Sequence, residues 1–330
     1  MKKTFLKLFI INFIMLSLTV NVFAANNAQS LYDGVTYNEE HIINTDGKNA
    51  DVFSLTVDLT KAYTICGLPD NIKALQVGSK GQQTLSEMVA AAQRDGYTVY
   101  AAMNADFFCR FDENKIQPEG MVIRDGKLLN PIGSYNSFYG VMKNGKAFIG
   151  HIYDYTNHLG EFDQAVSGDY GALIKNGEAI TEDKQGGWHA VGDTEPRAAV
   201  GIKKDGTVFM VVVDGRSDKS DGLTLTQLAN YMKENGCVTA INLDGGGSAQ
   251  MGICDPETQE FKIVNSPSDG QERPIANAIL VVSDREPNVP AKAPVSNTPK
   301  IIVTVIGFTL VALLYVAAFV INLKNKRPNN

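Results

Sequence analysis

The segment Asn242-Leu-Asp-Gly-Gly-Gly-Ser-Ala-Gln250 is the densest concentration of chemistry in the chain. Three successive glycines after an apolar strand let backbone approach a ligand closely and turn N–H groups toward an anion. Asp244 would stand at the rim as a carboxylate, with Asn242, Gly246 and Ser248 around it. The same residues also suit a plain hairpin turn. If Asp244 to Gly247 form a four-residue loop, Leu243 opposes Ser248 and the register sets Cys237 opposite Cys254 as neighbours. A second segment, Asn104-Ala-Asp-Phe-Phe108, places an amide and the carboxylate of Asp106 before two aromatic rings. That combination fits sugar hydroxyls and the apolar face of a sugar, or equally the buried edge of a core. Arg197, Asp214 and Arg216 fall near strand ends, and Arg273 follows in Glu272-Arg-Pro-Ile-Ala-Asn277. Planar guanidinium donors suit phosphate, although each could serve a surface ion pair.

Several familiar mechanisms are excluded. No GxxxxGK[ST] occurs, and GxSxG fails because Gln250 holds the position of its last glycine. Ser248 lacks an obvious base: there are four histidines, and His189 is the one in a glycine-rich loop. Four cysteines (Cys66, Cys109, Cys237, Cys254) in an exported chain could form two disulfides, but no spacing suits structural zinc. A divalent cation held by the aspartates is allowed by the residue types and required by none of them.

Two helices must position these segments. Thr84-Leu-Ser-Glu87 and Thr224-Leu-Thr-Gln227 are capping-box patterns, each followed by an apolar stripe and a closing glycine, Gly96 or Gly236. After each comes an apolar strand ending in Asn-x-Asp. This weak internal repeat puts Asn104/Asp106 and Asn242/Asp244 at equivalent strand ends, where open sheets place their ligands. Asp125-Gly126, Asn144-Gly145, Asn176-Gly177 and Asp205-Gly206 each predict a hairpin. Many hairpins, two long helices and little βαβ alternation predict an α+β fold, a largely antiparallel or mixed β-sheet core with helices packed against it.

The two ends read differently. Residues 1–24 carry the basic, apolar and small-residue parts of a secretory signal. Residues 286–300 hold four prolines and read as a stalk. Residues 301–321 carry no charge; as a helix they would span roughly 31 Å, which matches a single C-terminal transmembrane helix. Lys324, Lys326 and Arg327 in the tail, 322–330, predict a cytoplasmic C-terminus. Residues 25–285 would then be one extracellular domain. Of the 30 bases and 36 acids in the chain, six bases and no acid lie in residues 1–24 and 301–330. The middle therefore carries 24 bases against 36 acids, which argues against nucleic-acid binding.

The order NADFF, EGMVI, PRAAVGI, VVVDGR, GLTLTQLA, INLDGGGSAQM and RPIANAI resembles the phosphodiester glycosidase family over about residues 50–283. The resemblance implies a site lined by Asn104, Asp106, Arg197, Asp214, Arg216, Asn242, Asp244, Gly246 and Ser248. The chain departs from it in two ways: Ala198 and Ala199 stand where a more polar residue is expected in part of the family, and Cys109 directly follows NADFF. It further implies cleavage at the anomeric carbon of a sugar linked through phosphate, with Asp106, Asp244 and Asp214 as catalytic candidates. Arg197, Arg216 or Arg273 would neutralise phosphate. On an exported chain the expected substrate is a phosphate-linked glycan of a cell envelope or capsule. A non-catalytic glycan-binding module and a metal-dependent phosphoesterase cutting P–O are the competing readings.

Overall fold

The computed structural model describes residues 28–71, 81–112, 115–130, 137–168, 171–179 and 192–287. The expected signal, stalk, span and tail, like His189, lie outside the described residues, apart from Glu286 and Pro287. Among the described residues no helix is long and apolar enough to cross a membrane.

Among the described residues every strand pairing is antiparallel, so the fold is β-rich α+β. An eight-stranded sheet runs, edge to edge, Gln29–Tyr32, Val35–Ile43, Asn49–Val57, Val208–Val213, Arg197–Lys203, Cys237–Asn242, Ala172–Lys175 and Glu178–Ala179. A five-stranded sheet runs Phe261–Ile263, Met251–Cys254, Val99–Asn104, Ala278–Val282 and Tyr63–Gly67. A second five-stranded sheet comprises Ala147–His151, Ser137–Met142, Phe162–Ser167, Val122–Arg124 and Lys127–Asn130. Phe108–Asp112 and Lys115–Pro118 form a separate ribbon.

Alternation along Val208–Val213 shows how the layers stack. Val208, Met210 and Val212 join the largest apolar cluster, while Phe209, Val211 and Val213 face the other way, under the helix Leu225–Glu234. A strand buried on both faces needs an unbroken apolar run, and VFMVVV supplies it. Ala198 and Ala199 follow the same rule, one facing each cluster. A polar side chain at either position would be buried in an apolar layer, which explains the departure noted in the sequence.

The helices Leu85–Arg94 and Leu225–Glu234 both begin with complete capping boxes, on Thr84 with Glu87 and Thr224 with Gln227. The internal repeat extends into their surroundings. Gln83, just before the first cap, forms a two-hydrogen-bond bridge with Ile275; Leu223, just before the second, does so with Glu195. Each helix then leads into a strand whose end meets the other's: Asp244 N donates to Ala105 O (3.0 Å) and Asn104 Nδ2 donates to Asp244 O (2.6 Å).

All four predicted hairpins form. The fifth, with Asp244–Gly247 as its loop, does not. Cys237–Asn242 belongs to the eight-stranded sheet and Met251–Cys254 to a different one, so Cys237 and Cys254 are not register partners. The glycines make a 3₁₀ turn, Gly246–Ser248, that carries the chain from one sheet to the other. All four cysteines are free thiols. Burial pushes the thiols of Cys66, Cys237 and Cys254 up to about 12, leaving them protonated and unreactive.

Candidate active site

The meeting strand ends bring Asp106 and Asp244 together. Asp106 is buried, and its backbone is fixed by Asp106 N donating to Asn277 Oδ1 (2.9 Å). Asn104 is spent on the junction: besides Asp244, it accepts from Gln250 N through Oδ1 at 3.0 Å. Asn242 is buried at the end of its own strand, beneath the turn.

Neither carboxylate oxygen of Asp106 has a hydrogen-bond partner, nor do Nδ2 of Asn277 and Oε1 of Gln250. Buried polar atoms are nearly always paired, so a knot of orphans marks a place for a polar ligand or water. Burial pushes Asp106 well above the usual carboxylate range, against the opposing effects of Asn277 and the Ser167 backbone; the charges of Asp244 and Glu119 add to the rise. Burial therefore favours the protonated form of Asp106. Asp244 is half-buried. Desolvation raises it to about 7, opposed by hydrogen bonding from Ser248 and the Gly245 backbone and by the charge of Arg273. A carboxyl titrating near 7 suits proton transfer at physiological pH.

Each glycine of the turn is dictated by a neighbour. A Cβ on Gly245 would lie 2.6 Å from Pro196 O. One on Gly246, whose φ is +56°, would lie 3.2 Å from Nη1 of Arg216. One on Gly247 would lie 2.0 Å from Nη2 of Arg273. Two guanidinium groups thus lie against the turn, and only glycine leaves room for both. Arg216 is held by Glu195 (2.5 Å) and Arg273 by Asp269 (2.7 Å). Arg273 also donates to Ser248 Oγ (3.3 Å). Its ion pair holds Asp269 below the usual carboxylate range.

Arg197 and Asp214 make contacts of a different kind. Arg197 is buried and braces the approach to the site, donating from Nε to Leu223 O (2.9 Å) and from Nη2 to Asp193 O (2.8 Å). Asp214 accepts from Asn265 Nδ2 (2.8 Å) and Ser266 N (2.9 Å), and its charged neighbours are Asp51 and Glu39. Burial raises it, yet both its oxygens are occupied in tying loops together. Sequence reasoning missed Asn277, whose Oδ1 accepts from Asp106 N, Gln250, whose N donates to Asn104 Oδ1, and Glu119, whose charge acts on both aspartates. All three lie within or beside quoted motifs, but an amide or acid embedded in an apolar run carries no spacing signal of its own. Among the described residues no group of three His, Cys, Asp or Glu is arranged to hold a metal ion. A cavity of about 520 Å³ lies elsewhere, lined by residues such as Phe148, His151 and Lys175, and none of the residues above borders it.

A model of the phosphodiester glycosidase family matches residues 97–282, more than half of the chain. The chain belongs to that family. A Bacillus subtilis relative, the SPbeta prophage-derived uncharacterized protein YomE, is 36% identical over 94 residues, 28% of this chain and 14% of its own. The mouse N-acetylglucosamine-1-phosphodiester alpha-N-acetylglucosaminidase is 30% identical over 144 residues, 39% of this chain and 28% of its own. The chain thus spans less than a third of the length of either relative. The solved catalytic domain of the zebrafish enzyme of the same name, auto-inhibited by its pro-peptide, shares the fold. It superposes with a TM-score of 0.60 at 24% identity, over 79% of this chain and 87% of that one.

Proposed function

We propose that this chain hydrolyses glycosyl phosphodiesters by breaking the C–O bond at the anomeric carbon. The observation that carries the reading is the buried, partnerless carboxyl of Asp106 beside Asp244, under a glycine turn flanked by Arg216 and Arg273. Water attacks the anomeric carbon while Asp244, ionised above about pH 7, takes its proton. The electron pair of the broken bond goes to the phosphate oxygen, so a singly charged diester leaves as a monoester with a second developing charge. Arg216 and Arg273 gain in attraction as that charge develops, which is how fixed cations lower a barrier. Asp106, whose burial favours the protonated form, donates a hydrogen bond to a sugar oxygen. The names of the mammalian relatives suggest an N-acetylated aminosugar in the glycosyl position.

The expected signal at 1–24, stalk at 286–300 and apolar run at 301–321 support a domain carried outside the cell on a C-terminal anchor, acting on an envelope or capsular glycan. Hydrolysis in ¹⁸O-water tests the chemistry: label should enter the sugar. Label in the phosphate would mean P–O cleavage, and binding without turnover would mean a glycan-binding module.

A further inference from the structure

We propose that Glu119 is a third carboxylate of this site and binds the sugar half of the substrate, while Arg216 and Arg273 take the phosphate half. This rests on the glycosyl-phosphodiester reading above. Met121, Val122 and Ile123, which follow Glu119, are core residues, but Glu119 itself is half-buried and contributes nothing to that core.

The backbone around it is fixed on three sides. Glu119 N donates to Phe107 O (2.9 Å), one residue beyond Asp106. Buried Asn130 donates through Nδ2 to both Pro118 O and Gly120 O, each at 2.7 Å, clamping the peptides on either side of Glu119. Gly120 packs so closely on Ser167 that a Cβ there would lie 2.2 Å from its Oγ. A buried amide spent on holding two carbonyls aims the residue between them, and that residue is an acid whose charge reaches both Asp106 and Asp244.

Glu119 and Asp244 repel when both are ionised, which disfavours folding. A phosphodiester would be repelled by Glu119 as well. Sugar hydroxyls would not be: they donate to carboxylates, and half-buried Phe107 directly follows Asp106 in the chain. Glu119 hangs from the Phe107 side of the aspartate pair, and the arginines hang from the glycine turn. The site is thereby polarised into a sugar end and a phosphate end.

The experiment titrates the two halves separately into the full chain by calorimetry, using N-acetylglucosamine and methyl phosphate. Glu119→Gln should weaken the sugar about tenfold or more, the scale of one charge-assisted hydrogen bond, and leave methyl phosphate no weaker. Arg273→Ala should do the reverse. Glu119→Gln should also move the Asp244 titration to lower pH, which a purely structural residue would not do. Should the Gln variant fail to fold, Glu119→Asp keeps the charge but withdraws it, and should weaken the sugar alone. Equal loss for both halves, no loss for either, or a wild-type chain that binds methyl phosphate but not the sugar at millimolar concentration overturns the proposal. Absence of turnover in the wild type counts against the proposed reaction alone, because the half-ligand titrations need none.

Discussion

Asp244→Asn should separate stability from activity in opposite directions. Folding moves the Asp244 carboxyl from 3.8 to about 7, so between those values the folded chain holds more proton than the unfolded one. Stability then falls as pH rises through that window; the penalty is absent below about pH 4 and complete above about pH 7. A rise from 3.8 to about 7 sets its ceiling at about 4 kcal/mol. Half-burial and the lost attraction to Arg273 reduce what the amide recovers to about 2 kcal/mol. Asparagine keeps an acceptor for Ser248 and the Gly245 N–H, so the turn should hold. For a domain of this size the thermal midpoint at pH 8 should rise by about 4–8 °C, with no gain at pH 4. Turnover of a chromogenic sugar phosphodiester should fall by at least about a hundredfold. Thermal melts at the two pH values and initial rates suffice. A midpoint that drops at pH 8, or an amide variant that keeps its rate, would refute the assignment of Asp244 as a buried, working acid–base group.

The pH profile of kcat/KM in the wild type should rise through about 7 as Asp244 ionises, and a profile flat from pH 5 to 9 would count against it. Gly247→Ala should weaken phosphate binding with little loss of stability, because its Cβ displaces only side-chain ends of Arg273 and Asp269. Gly245→Ala, which meets the Pro196 carbonyl, should instead cost about 1–3 kcal/mol in a denaturant titration. Asp214→Asn should lower stability by about 1–3 kcal/mol, since the new amide cannot accept at both oxygens, and leave the rate per folded molecule unchanged in active-site-titrated assays.

What could be read from the sequence was local. Asp-Gly and Asn-Gly pairs demand the left-handed backbone that tight turns provide, so four hairpins were legible one by one. The two capping boxes were legible because the threonine and its partner act within a single turn of helix. The register across Asp244–Gly247 was misread for the converse reason: three glycines permit a hairpin and a crossing between sheets alike, and what decides is Pro196, Arg216 and Arg273, far away in sequence. Arg197 and Arg273 looked alike as arginines beside prolines or strand ends. Only the fold shows that one is buried on backbone carbonyls and the other lies against the glycine turn. Convergence of Asp106 and Asp244 is suggested by the repeat, whereas the burial that distinguishes them is set by packing from segments distant in the chain.

The place of the strand Ala278–Val282 has a consequence for biosynthesis. It slots between Tyr63–Gly67 and Val99–Asn104, strands made more than 170 residues earlier, and Asn277 before it anchors Asp106. Until this last strand arrives, its sheet is an open gap with two unpaired apolar edges, and Asp106 has no seat. Pairings so distant in the chain are slow to close. A growing chain therefore lacks the Asn277 anchor of Asp106 until this strand is inserted, and the proposed activity would begin only then.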